Sequence, residues 1–140
     1  MSFAMGKIVW PENGRDANLL LRKFMLEALL AIEFRFAGDL QDPIECLEGY
    51  VSGRISSEHC SELAARWKSE LSGEDGVRDF ESSIAIQARL ADSILGIDES
   101  NVDGLADELS WFTEILQSAG VNYRVVREIM IGYFDPYLED

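Results

Sequence analysis

One histidine and two cysteines, His59, Cys46 and Cys60, are the side chains best suited to metal or nucleophilic chemistry in this chain. A zinc site would need all three. Adjacent residues on a helix point about 100° apart, and no fourth ligand stands at a usual spacing. Nor do these residues make a thiol–imidazole–acid set with the mutual placement a nucleophile requires. His59 therefore reads as an exposed residue in the first turn of a helix, and the cysteines as small reduced apolar side chains. Glu99-Ser100-Asn101-Val102-Asp103-Gly104 has the outline of a calcium loop. With Gly104 as the loop glycine, Glu99, Asn101 and Asp103 take the first ligand positions, but Ser110 falls where a bidentate Glu belongs. The segment reads better as a helix start. Carboxylate pairs such as Glu74/Asp75, Asp98/Glu99 and Asp107/Glu108 are chain neighbours, whereas acid/base catalysis needs two carboxyls in different environments across a pocket. A di-iron bundle takes two Glu-x-x-His pairs, which one histidine cannot supply. No phosphate-cradling glycine loop or nucleophile elbow is present. The expectation is a protein that is not an enzyme and uses no cofactor and no metal.

What remains is a field of charge. Between Arg89 and Arg124 there is no Lys or Arg, while Leu90–Tyr123 holds seven acids: Asp92, Asp98, Glu99, Asp103, Asp107, Glu108 and Glu114. Half of the formal net charge of -14 thus sits on about a quarter of the length. Such a field repels nucleic acid and anionic membrane, and it speeds association with basic protein surfaces.

The elements that must position these acids are helices. At 140 residues and 47% hydrophobic content, the chain can bury the core of one domain. Residues 1–15 read as an N-terminal arm and turn, with Lys7–Trp10 able to extend, and residues 16–140 as a helical domain. The first helix is expected from Asp16 to Ala37, striped by Leu21, Met25, Leu29, Ile32 and Phe36. A narrow polar arc around Arg22 and Glu33 faces out, and Gly38 is the stop. Asp42-Pro43 starts a second, short helix, and Ser56 or Ser57 caps a third that carries Cys60, Leu63, Ala64, Trp67 and Leu71 inward. A loop at Ser72–Gly76 precedes a fourth helix from Val77 to Leu95, with Phe80, Ile84 and Ala88 in its apolar row. Ser100 caps a fifth, with Asp103 in the capping-box position and a core row of Val102, Leu105, Ala106, Leu109, Phe112 and Leu116. Asn122 caps a sixth. Six helices with short connections make an all-α bundle. Five charges between Leu19 and Ala37 exclude a membrane span there, and the N-terminus lacks a signal-peptide core, so a cytoplasmic protein is expected.

On the fifth helix Asp103, Asp107, Ser110, Glu114 and Gln117 recur at three and four residues, opposite the apolar row. Trp111 and Ile115 lie on the flank beside Glu108. A large aromatic ringed by carboxylates is the pattern of an interface hot spot facing a basic partner. Like charges four apart, such as Asp103 and Asp107, cost a little stability. The partner-binding set is therefore Asp98, Glu99, Asp103, Asp107, Glu108, Trp111 and Glu114. In composition the chain is similar to small acidic bacterial immunity proteins. That resemblance implies a cofactor-free inhibitor of a cognate toxin, often a basic nuclease. A second reading is a helical adaptor or regulatory subunit that binds through an apolar groove and can pair as a homodimer, using the surplus of Tyr123, Tyr133, Phe134 and Tyr137 on the sixth helix.

Overall fold

The turn at Pro11–Asn13 ends in a residue that organises the longest helix. The Asn13 side-chain oxygen accepts the amide hydrogens of Arg15 at 2.9 Å and Asp16 at 3.1 Å, satisfying donors that the first helical turn leaves open. Helix α1 runs from Gly14 to Ala31 in the computed structural model, which describes residues 7–36, 40–72 and 83–138. It stops six residues short of the expected Ala37. Glu33 adopts a left-handed φ of 55°, and the amides of Phe34 and Glu33 reach back to the carbonyls of Leu29 at 3.0 Å and Leu30 at 3.2 Å. This is a Schellman closure with a glutamate in the place glycine usually takes, at a cost of about 1 kcal/mol. The apolar residues beyond it explain why the chain turns there. Phe36 stacks edge-on against Phe34 at 5.0 Å and against Trp67 at 5.5 Å, contacts that a continued straight helix would not make. The expected stop at Gly38 lies outside the described residues.

Helix α2, Pro43–Val51, starts as its Asp-Pro pair predicts, with the Asp42 carboxylate accepting from the Ile44 amide at 3.0 Å. In α3, Ser57–Ser72, the cap is Ser56, whose hydroxyl oxygen accepts from the His59 amide. Helix α4 spans Ser83–Leu95. The expected loop beyond Ser72, the expected start at Val77, and the side chains of Leu71, Phe80 and Ile84 lie outside the described residues. Helix α5, Leu105–Ser118, begins five residues later than expected. The Asp98 carboxylate binds the amide and hydroxyl of Ser100, and the Asn101 side-chain oxygen binds the Gly104 amide. These local turns compete with helix and win over residues 98–104. Asp103 consequently sits in a turn, and Ala106 points to solvent instead of the core. Gly120, at φ 74°, precedes α6, Tyr123–Phe134, and a 3-10 turn follows at Asp135–Tyr137. The Asn122 side chain makes none of the capping bonds expected of it.

These six helices of the described residues form one all-α bundle. Helix α3 packs chiefly on α4, α4 also meets α5 and α2, and α1 touches α2, α5 and α6. An aromatic cluster binds α1, α5 and α6 together. Phe24 lies 5.8 Å from Phe112 and 5.3 Å from Phe134, and Tyr133 meets both Phe24 and Phe134. Such pairs add to the free energy of burying the rings themselves. Residues 8–10 of the N-terminal arm lie against the last turn of the bundle, in the stretch the sequence allows to extend. The Val9 amide donates to the Tyr137 carbonyl at 2.7 Å, Ile8 bridges antiparallel to Leu138, and Trp10 meets the edge of Phe134. Of the aromatic surplus of α6, Tyr123 is part-buried and Tyr137 is exposed. Phe134 is fully buried, and the half-buried Tyr133 donates its hydroxyl to the Leu20 carbonyl. Burial pushes the Tyr133 phenol up to about 12. Among the described residues no helix is long and apolar enough to cross a membrane.

Candidate protein-docking site

The acidic segment is organised from behind by a polar row on α1. Arg15, Asn18 and Arg22 recur at three and four residues, so they share one side of that helix. Arg22, which the sequence places on a solvent-facing arc, is in fact completely buried. A buried guanidinium is tolerable only when paired and hydrogen-bonded. Its Nη2 donates to Glu108 Oε1 at 2.8 Å and to the Gly96 carbonyl at 3.2 Å, at the end of α4. Arg22 therefore ties α1, α4 and α5 to one point.

Further along the same row, Asn18 is also fully buried, and its Nδ2 donates to the carbonyls of Gly14 at 2.8 Å and Asp98 at 3.2 Å. The backbones approach so closely here that a Cβ on Gly14 would lie 1.7 Å from the Glu99 carbonyl oxygen. The Glu99 carboxylate accepts from the Tyr50 hydroxyl at 2.5 Å and from Arg15 at 3.2 Å, with the Arg15 guanidinium 5.7 Å from the centre of the Tyr50 ring. Burial, reinforced by the Glu99 carboxylate, holds the Tyr50 phenol above its ordinary range.

The seven acids accordingly divide by role. Glu108 is turned to the buried Arg22, and Glu99 pairs with the exposed Arg15 and the Tyr50 hydroxyl, so both acids fasten α1 to the rest of the bundle. Asp92 lies 3.7 Å from Lys68 across an exposed pair. The side chain of Asp98 binds Ser100, whose hydroxyl and amide hold that exposed carboxyl below its ordinary range. Asp103, Asp107 and Glu114 are exposed and make no ion pair with any described residue. Trp111 is 38% exposed, while Ile115, expected beside it on the flank, is fully buried in the core. Asp107, Trp111 and Glu114, spaced at four and three, put the indole between two carboxylates on one outer stripe of α5. Between α4 and α5, Trp111 and Glu108 face Asp92, Ser93 and Gly96 across a recess of about 170 Å³.

The residues considered for metal or nucleophilic chemistry lie elsewhere. Cys46 and Cys60 are free, fully buried and 3.5 Å apart at sulfur. Their mutual hydrogen bond, together with burial, keeps the Cys60 thiol well above its ordinary range. His59 is exposed, with Nε2 3.3 Å from the Gln41 side-chain oxygen. Among the described residues no group of three or more His, Cys, Asp or Glu could hold a metal ion. Comparison with known proteins yields no relative: no family model, curated protein or solved structure matches the chain.

Sequence reasoning missed Arg15, Asn18, Arg22 and Tyr50. One signal was available: three polar residues at helical spacing on an otherwise apolar helix. Their acidic partners, about eighty residues away, carry no such local mark.

Proposed function

We propose that this protein is an acidic binding module that inhibits a basic protein, in the manner of a cytoplasmic bacterial immunity protein acting on a toxin. It has no catalytic role of its own in this reading. The docking surface is the outer stripe of α5 and the turn before it, with Asp103, Asp107 and Glu114 pairing to Lys or Arg of the partner and Trp111 as the anchor. Asp98 borders that surface. Glu99 and Glu108 support it from inside, since their charges already serve Arg15 and Arg22.

One observation carries the reading. Two exposed carboxylates, Asp107 and Glu114, flank the part-exposed Trp111 on α5, a third, Asp103, lies in the turn before it, and none of the three makes an ion pair among the described residues. A solvated helix face ordinarily mixes both signs. For a nuclease partner, docking over the phosphate-binding surface would block substrate entry. The adaptor reading has less to stand on, because Phe134 is fully buried and the half-buried Tyr133 spends its hydroxyl on the Leu20 carbonyl.

The test is affinity capture from the native cell on the immobilised wild-type chain and, in parallel, on the Asp103→Lys/Asp107→Lys variant. The captured protein is then assayed for activity with and without excess chain. A basic protein retained only by the wild type, whose activity the chain suppresses, supports the reading. Equal retention on both surfaces, or an acidic partner, refutes it.

A further inference from the structure

We infer that the recess between α4 and α5 is a socket for a guanidinium group, and that it receives an arginine side chain of the basic partner. The inference rests on the docking reading above and deepens it. Its starting point is Ser93, which lines the recess, is only 7% exposed, and has an Oγ with no hydrogen-bond partner among the described residues. A buried hydroxyl left unpaired costs about 1–3 kcal/mol, so such groups in folded proteins normally have a partner. Ser93 is part of the wall of that recess, so its unpaired Oγ lies beside the space an incoming donor would enter.

The other walls specify the donor. Glu108 lines the recess, and its pairing with Arg22 uses Oε1 and leaves the second carboxylate oxygen outside that bond. Asp92 offers a carboxylate whose cation among the described residues, Lys68, is 63% exposed and 3.7 Å away, a loose surface pair that an entering group can displace. Trp111 supplies an aromatic wall, and Asp107 and Glu114 flank it on the same stripe of α5. A cation is called for, and two features select its shape. A planar guanidinium stacks on an indole face and forks its N–H groups onto carboxylate oxygens. An ammonium is a compact, strongly hydrated point charge that does neither as well. At about 170 Å³ the recess is close in size to the ~150 Å³ cavity known to hold benzene, so a flat group of this size fits. Two carboxylates and a hydroxyl make a poor cage for a divalent ion, which takes six or more oxygens.

The experiment titrates the isotopically labelled full chain with N-acetyl-L-arginine amide and, separately, with N-acetyl-L-lysine amide at matched ionic strength, followed by amide and indole NMR shifts. The socket predicts saturable shifts at Trp111 Nε1–H, Ser93 and Gly96 with the arginine probe at millimolar concentration, and binding at least fivefold weaker with the lysine probe. Ser93→Ala should weaken the arginine probe severalfold with the fold unchanged by circular dichroism, and Trp111→Ala more strongly. Equal affinity for both probes would overturn the socket as a generic acidic surface. Full binding by Ser93→Ala would overturn it as a hydroxyl satisfied by water alone. Salt-sensitive binding of a basic protein that persists while the recess ignores arginine refutes the socket and leaves the docking face standing. A recess that takes arginine on a chain whose partner is indifferent to Asp103→Lys/Asp107→Lys refutes the docking face instead.

Discussion

Glu108→Ala should destabilise the protein far more than a part-exposed acid ordinarily would. The side chain of Glu108 is 26% exposed, but the Arg22 guanidinium it meets at 2.8 Å has no exposure at all. Deleting the acid leaves that charge with the Gly96 carbonyl as its remaining oxygen partner. Stranding one member of a buried pair costs 3–5 kcal/mol, and water can enter from the Glu108 side, so the expected loss is at the lower end, about 3 kcal/mol. For a chain of this length that lowers the Tm by about 10 °C. The reverse deletion behaves differently. Arg22→Met leaves a carboxylate that solvent can hydrate, at a cost of about 1 kcal/mol, and adding it to Glu108→Ala should recover most of the lost stability. Urea unfolding of the two single variants and the double variant, followed by circular dichroism, measures all three terms in one cycle. If Arg22→Met costs as much as Glu108→Ala, or if the double variant is no better than Glu108→Ala alone, Glu108 is not there to neutralise Arg22.

Three further outcomes follow from particular contacts. Gly14→Ala should cost about 2–3 kcal/mol in the same unfolding assay, because its Cβ would have to displace the Glu99 carbonyl that lies 1.7 Å away. Replacing Cys46 and Cys60 together by Ala should cost about 1 kcal/mol for each small cavity and leave partner binding unchanged when measured by surface plasmon resonance. In alkali, stability should fall as pH rises above the ordinary tyrosine range toward about 12, the value to which burial raises Tyr133. The sign follows from proton binding: in that window the unfolded chain has released the phenolic proton while the folded chain keeps it, so rising pH favours unfolding. Tyr133→Phe should flatten that part of a thermal stability profile.

Local chemistry made much of the bundle legible. Asp42-Pro43 placed the start of α2 because proline suits the first helical position and aspartate can cap it. The stripe of Leu21, Met25 and Leu29 placed α1 in the core. The misplaced boundaries are those where two local solutions compete. Glu33 closes α1 in a conformation no glutamate advertises, and Asp98 and Asn101 form side-chain turns where a capping box was equally readable. At the candidate site the spacing of Asp107, Ser110, Glu114 and Gln117 placed an outer stripe whose four members are exposed, since helical periodicity is local, while Asp103 fell in the turn before it. The inward roles of Glu99 and Glu108 were hidden, because they depend on Arg15 and Arg22, 84 and 86 residues away in the chain. Counting charge therefore overstated the surface field: two of the seven acids are paired with arginines of α1, Glu108 with the buried Arg22 and Glu99 with Arg15.

In the proposed function the outer carboxylates of α5 steer and hold a basic partner. Stopped-flow association of the captured partner, at low and high salt, tests it most directly on the wild-type chain, Asp103→Lys/Asp107→Lys and the equally charged control Glu58→Lys/Glu62→Lys on the exposed side of α3. The α5 reversal should slow association at low salt by about tenfold or more, and the difference should shrink as salt screens it. The α3 control should stay within about twofold of wild type. Equal slowing by the two reversals would contradict the account, because the acidity would then act only as net charge and the α5 stripe would not be the docking site.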